Sequence, residues 1–161
     1  MRHVMLEYFH AEKQEALLFL AAGLVALATS ALLLRGGGTW KSMAWPLGAV
    51  ALVQIGVGAG VYLRTGRQVA ALEAKLGADP AAYRAEEEAR MARVMASFRR
   101  YKAAEVALLA AGIALTYAFP RREGWYAAGV GLVAQAAFML VLDLFAEHRA
   151  RLYLDAILAL R

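Results

Sequence analysis

Glu15, Arg64, Arg67, Lys102, Glu105, Asp143 and Glu147 stand where long uncharged stretches meet charged sequence. Side chains gathered at such a boundary can do one of two things. They can pair into a salt-bridge layer, with the long basic chains reaching toward water. Alternatively, the carboxylates can hold a cation or metal together with nearby histidines, as Glu, Asp and His from facing helices do in bundle cores. The metal candidates are then His10, Glu15, Glu105, Asp143, Glu147 and His148. The Glu-x-x-His spacing of a di-iron bundle occurs once, at Glu7 and His10, with no second copy. Glu147 and His148 are adjacent, so on a helix they diverge by about 100°. A bis-His haem would require His10 and His148 to face each other. The ion-pair layer is the expected arrangement, with Asp143 and Glu105 reaching toward Arg64, Arg67 and Lys102, and no cofactor is implied.

Two strongly polar side chains lie inside the uncharged stretches, Gln54 and Gln135. They can hydrogen-bond between helices, a contact worth about 1 kcal/mol or less, or line a polar pathway. Other chemistry is poorly served. The chain has no Cys, which removes disulfides, thiolate metal sites and Cys nucleophiles. No Ser-His-Asp set or phosphate loop is present, and Gly36-Gly37-Gly38 reads as a turn. Basic residues alternate with Glu and carry no recognition motif, so no nucleic acid is expected. An enzyme is not the expected reading.

The elements that must position these residues are helices. Hydrophobic residues make up 61% of the 161 and charged ones 19%, a balance more apolar than a soluble domain carries. Four apolar runs predict four transmembrane helices over about 16–34, 43–63, 103–120 and 124–146, because about 20 apolar residues cross the roughly 30 Å of hydrocarbon. The third run must take in Glu105 to be long enough. Lys and Arg number four in the connections after the first and third runs, against fourteen at the termini and in the centre. The positive-inside rule then places both termini and residues 64–102 in the cytoplasm. Trp40, Trp45, Trp125 and Tyr126 form an aromatic belt at the outer interface.

In chain order, residues 1–15 form an amphipathic helix running into the first span. Gly56 and Gly60 make a small-xxx-small pair, expected to admit a close helix neighbour. The second helix should continue to about Leu76. Gly77-Ala78-Asp79-Pro80 reads as one reversal, with Gly in the left-handed position, Asp as cap and Pro at the first helical position. Met91, Val94 or Met95, Phe98 and Tyr101 or Lys102 follow coiled-coil spacing, so the two arms should pair as an antiparallel hairpin. Glu86, Glu87 and Glu88 read as a solvated face. Leu152, Tyr153, Ala156, Ile157 and Leu160 form an apolar stripe wanting a partner. Lys13 and Leu20–Gly23 match Lys102 and Leu109–Gly112 at one offset, a faint parallel duplication.

The expected whole is a single all-α, four-helix membrane domain of residues 1–161, half in lipid and half in cytoplasm. Four spans with an acidic residue near the start of the first resemble small multidrug transporters. The chain departs from them in its long central hairpin and in Glu15, which sits at the edge of its span. The expected function is an integral membrane interaction protein, an adaptor, sensor or immunity-type protein, acting through its cytoplasmic helices on a protein partner or on itself. The alternative is a small oligomeric ion or metabolite transporter or channel using polar residues of spans two to four. Ala- and Arg-rich usage suggests a bacterial inner membrane.

Overall fold

A computed structural model describes residues 1–160. It contains α1 (Arg2–Gly36), a 3₁₀ turn (Thr39–Met43), α2 (Ala44–Ala78), α3 (Pro80–Ala118) and α4 (Glu123–Leu158), with no strand among the described residues. Each helix is long and apolar enough to cross a membrane. The chain runs up and down through one bundle. α1 packs chiefly on α2 and α3 chiefly on α4, while lighter contacts of α2 with α4 and of α1 with α4 join the two pairs.

Local chemistry sets the boundaries. Gly37 and Gly38 adopt positive φ (67° and 77°), a region costly for any side chain, and this stops α1. Asp79 alone separates α2 from α3. It is extended, and its Oδ1 accepts bonds from the Ala81 and Ala82 amides at 3.0 Å, with Pro80 at the first helical position. The expected left-handed glycine is not used. Gly77 stays helical, because one extended residue with a side-chain cap already reverses the chain. The third helix stops at Ala118, leaving Phe119 and Pro120 in the turn.

The bundle has two unlike halves. At the apolar end most buried positions are small, among them Ala51, Gly58, Gly112, Ala127, Gly129 and Ala136, with Phe19 and Leu47 as larger exceptions, while Leu18, Val25, Leu32, Leu52, Ile113 and Phe145 are exposed. That inverts the pattern of a water-soluble bundle and suits helices whose surroundings are themselves apolar. At the charged end the core is large: Met5, Phe9, Tyr83, Met91, Ala150, Tyr153 and Ile157 form one buried cluster. The stripe on the last turns of α4 thus finds α3 and the start of α1. The arms of residues 64–102 run antiparallel on either side of Asp79 and touch each other lightly. Each packs more on its outer neighbour, α2 on α1 and α3 on α4, than on the other arm.

Close approach comes from other glycines than the Gly56–Gly60 pair, which meets open space. A Cβ on Gly58 would lie 2.7 Å from the Ala16 carbonyl oxygen, and one on Gly112 would lie 2.9 Å from that of Gly129. Gly23 and Gly112, which fall at matching positions of the two similar sequence stretches, are both close-contact residues of their pairs. A methyl at Gly58 or Gly112 must displace backbone, a cost of about 1–3 kcal/mol that outweighs the roughly 1 kcal/mol helix-propensity gain. Gly58→Ala and Gly112→Ala are therefore expected to lower the melting temperature of the purified protein. Gly56→Ala should hold or raise it, as circular dichroism would show.

Candidate functional site

The polar groups fall at three heights along the bundle. The lowest constellation lies inside the charged-end core. Tyr83, Glu87 and Met91 repeat every four residues on α3, which puts a carboxylate in the middle of an apolar row facing α4 and α1. Glu87 is 1% exposed and is held in a fork by Arg90, with Nε to Oε2 at 2.8 Å and Nη2 to Oε1 at 2.6 Å. The Tyr153 hydroxyl donates to Glu87 Oε1 at 2.8 Å and lies 2.8 Å from that of Tyr83. Tyr8 stacks on Tyr153 with ring centroids 4.5 Å apart, and the Arg90 guanidinium sits 5.2 Å from the Phe9 centroid. Helices α1, α3 and α4 thus meet in one hydrogen-bonded, aromatic-walled ion pair.

Charge and burial act together there. Burial, then the bond with Tyr83, raises the Tyr153 phenol far above its ordinary value, so it remains a donor. Burial alone would lower Arg90, but its bonds to Glu87 more than offset this and hold it charged. The expectation that Glu86, Glu87 and Glu88 are all solvated is corrected for the middle one. Glu86 pairs with Lys75, Glu88 is exposed and Glu87 is buried. The signal was present in the sequence. Glu87 sits four residues from both Tyr83 and Met91, and Arg90 follows at three, a spacing that pairs on a helix.

Above this knot lies the boundary layer. Lys102 and Arg151 both pair with Glu147, Arg149 pairs with Glu15, and Arg64 stands 3.8 Å from Glu12, which also accepts from Thr65. Burial pushes Glu15 up to about 7 against the pull of Arg149, and also raises Glu12. Glu147 is lowered by its bonds to Lys102 and Arg151. Glu105 and Asp143 do not reach Arg64 or Arg67 as expected. They neighbour each other across α3 and α4, with Lys102 as the nearby cation, and Glu105 Oε2 is buried without a partner. Arg67 is exposed, and no carboxylate pairs with it among the described residues.

The metal candidates do not converge: among the described residues, no three His, Asp or Glu side chains are grouped to hold an ion. His10 is exposed and bonded to Gln14 at 3.1 Å, and His148 is exposed. Higher still, Gln54 Nε2 donates to Gln135 Oε1 at 3.1 Å, joining α2 to α4 at the bundle axis. The pair is incomplete, since Gln54 Oε1 and Gln135 Nε2 are buried and unpartnered.

Two surface grooves lie at the charged end, between α1 and α2. One of about 490 Å³ is lined by Leu6, Phe9, His10, Lys13, Thr65 and Val69, among others. The other, of about 520 Å³, is lined by Arg2, Glu73, Ala74, Leu76 and Gly77. Comparison with protein-family models, curated proteins and solved structures finds no match, so function must be argued from these residues.

Removing one partner of the buried pair leaves an uncompensated charge. Arg90→Leu is expected to destabilise the protein by about 3–5 kcal/mol, and Glu87→Leu with Arg90→Leu by less than the two single changes summed. Denaturant unfolding of the three variants measures the coupling. Glu147 gives a pH dependence. Its value in the fold lies below the ordinary 4.5, so its contribution is present above pH 4.5 and lost as the pH falls through that lower value. Glu147→Gln should lower stability at pH 7 by about 1–3 kcal/mol and flatten the acid limb of the melting-temperature profile.

Proposed function

We propose that the chain is a polytopic membrane protein that acts as an interaction module, presenting the charged half of its bundle to a protein partner or to a second copy of itself in the cytoplasm. Four long apolar helices, outward-facing Leu, Val and Phe, and small residues at the helix contacts support the membrane reading. The uneven placement of Lys and Arg supports cytoplasmic termini and a cytoplasmic α2–α3 turn. Composition is in keeping with a bacterial inner membrane.

One observation carries the interaction reading: both grooves lie at the charged end, on the open side of a core locked by Glu87 and Arg90. Shallow grooves lined by both apolar and charged side chains offer a partner helix the two kinds of contact it uses. The locked core means that binding there need not order the module first.

The observation favouring a transporter is the open amide pair of Gln54 and Gln135, which leaves one acceptor and one donor free in mid-bundle. Flux in liposomes that disappears with Gln135→Leu would mark that function instead.

Gly66 faces open space beside the first groove and Leu6 lines it, so both can be changed without entering the core. Gly66→Phe and Leu6→Glu are expected to abolish a cross-linked partner or dimer seen with the wild-type protein in mild detergent. Identical cross-linking in wild type and variants would overturn the reading. Topology reporters test the membrane arrangement: alkaline phosphatase should be active when inserted after Gly37 and inactive at either terminus.

A further inference from the structure

The boundary layer is unevenly satisfied. Three of its acids are paired with bases: Glu12 with Arg64, Glu15 with Arg149, and Glu147 with Lys102 and Arg151, while Glu105 and Asp143 are buried beside each other. Three of its bases stand apart. Arg67 on α2 and Arg99 and Arg100 on α3 are exposed, and none has a carboxylate partner among the described residues. The one side-chain bond in the set runs from Arg100 to Ser97 Oγ at 3.3 Å.

Depth makes this imbalance specific. Lys102 pairs with Glu147, and Arg149 of the same α4 turn pairs with Glu15, so these residues share one level at the inner end of the apolar half. Arg99 and Arg100 lie about 3–4.5 Å below Lys102, at roughly 1.5 Å per residue. Arg67 lies lower, about 4.5 Å below Arg64, which itself stands beside Glu12, one helical turn below Glu15. Long arginine side chains starting from these levels reach the lipid headgroups once the apolar half is in a bilayer. Neighbours on a helix diverge, so Arg99 and Arg100 together sweep a broad arc rather than close a pocket.

Resting on the membrane reading above, we propose that Arg67, Arg99 and Arg100 bind the phosphodiester groups of anionic phospholipids in the inner leaflet. A guanidinium offers a planar fork of donors that matches a phosphate, and Glu12, Glu15 and Glu147 are already engaged by other bases. A negatively charged leaflet attracts juxtamembrane cations within a Debye length, so three unpaired arginines just below the apolar half select anionic over zwitterionic lipid. The basic arm beside them gains a fixed counter-ion layer that holds the bundle at a set depth.

The test uses the full chain in nanodiscs of mixed phosphatidylcholine and phosphatidylglycerol, with retained lipid counted by native mass spectrometry. The wild-type protein should retain phosphatidylglycerol at least about threefold above its share of the bilayer. Combined Arg67→Gln, Arg99→Gln and Arg100→Gln should bring that ratio to about one. A control with Arg121→Gln and Arg122→Gln, at the opposite end, should keep it. Circular dichroism checks that the triple variant is helical, as exposed positions require. Equal enrichment in the triple variant and the wild type overturns the proposal. So does full displacement of phosphatidylglycerol by inorganic phosphate, which would make the site one for a free anion. Release of the protein from membranes by alkaline carbonate would instead overturn the membrane reading itself.

Discussion

Glu87 in the grip of Arg90 is the constraint around which the charged half is built. A carboxylate that buried is tolerable only with a fixed partner and filled hydrogen-bonding positions. Arg90 supplies the first and Tyr153 the second, while Tyr83 completes the chain of hydroxyls. Tyr8 and Phe9 then wall the guanidinium from α1. An all-apolar seam would allow the helices to slide by a turn. An ion pair that must meet two phenols fixes the register of α3 against α4 and the angle of α1 to both.

The apolar half solves the opposite problem. Where the surroundings are as greasy as the side chains, burying Leu gains little, and contact depends on how near two backbones can come. Gly58 against Ala16 and Gly112 against Gly129 supply that nearness within each helix pair. Between the pairs, the Gln54–Gln135 bond crosses the axis. The bundle is thus held by close backbone contact at one end and by large side chains and charge at the other. The boundary layer of Glu15, Lys102, Glu147 and Arg149 joins the two regimes.

Much of the helical plan was legible in the sequence because it follows from periodicity and length. The four long helices, the uninterrupted α1 and the Asp79–Pro80 cap all come from local chemistry. Side-chain partnership was less legible, because it depends on which helix faces are turned inward. Gly56 and Gly60 have the right spacing, but Gly58 lies on the inward face, and spacing alone does not choose between faces. Glu87 was read as solvated because two flanking glutamates outvoted its four-residue register with Tyr83 and Met91. Glu105 and Asp143 were assigned to arginines by charge, whereas the pairing of α3 with α4 sets them against each other. The Gln54–Gln135 contact was the simplest to foresee, since few polar groups in mid-bundle compete for either.

The core of the charged half joins the beginning of the chain to its late portion: Met5 and Phe9 pack with Tyr153 and Ile157. During synthesis, the first helix leaves the ribosome well over a hundred residues before its aromatic partners exist. Until then the apolar side of residues 4–9 has nothing of its own chain to cover it from α4. The α1–α2 and α3–α4 pairs are near neighbours in sequence and can form as each hairpin is made, whereas closing the charged half is a long-range event that comes last. A nascent chain stalled before Tyr153 would therefore leave the Met5 and Phe9 side of α1 without its cover from α4, the state in which a chaperone or protease would find it.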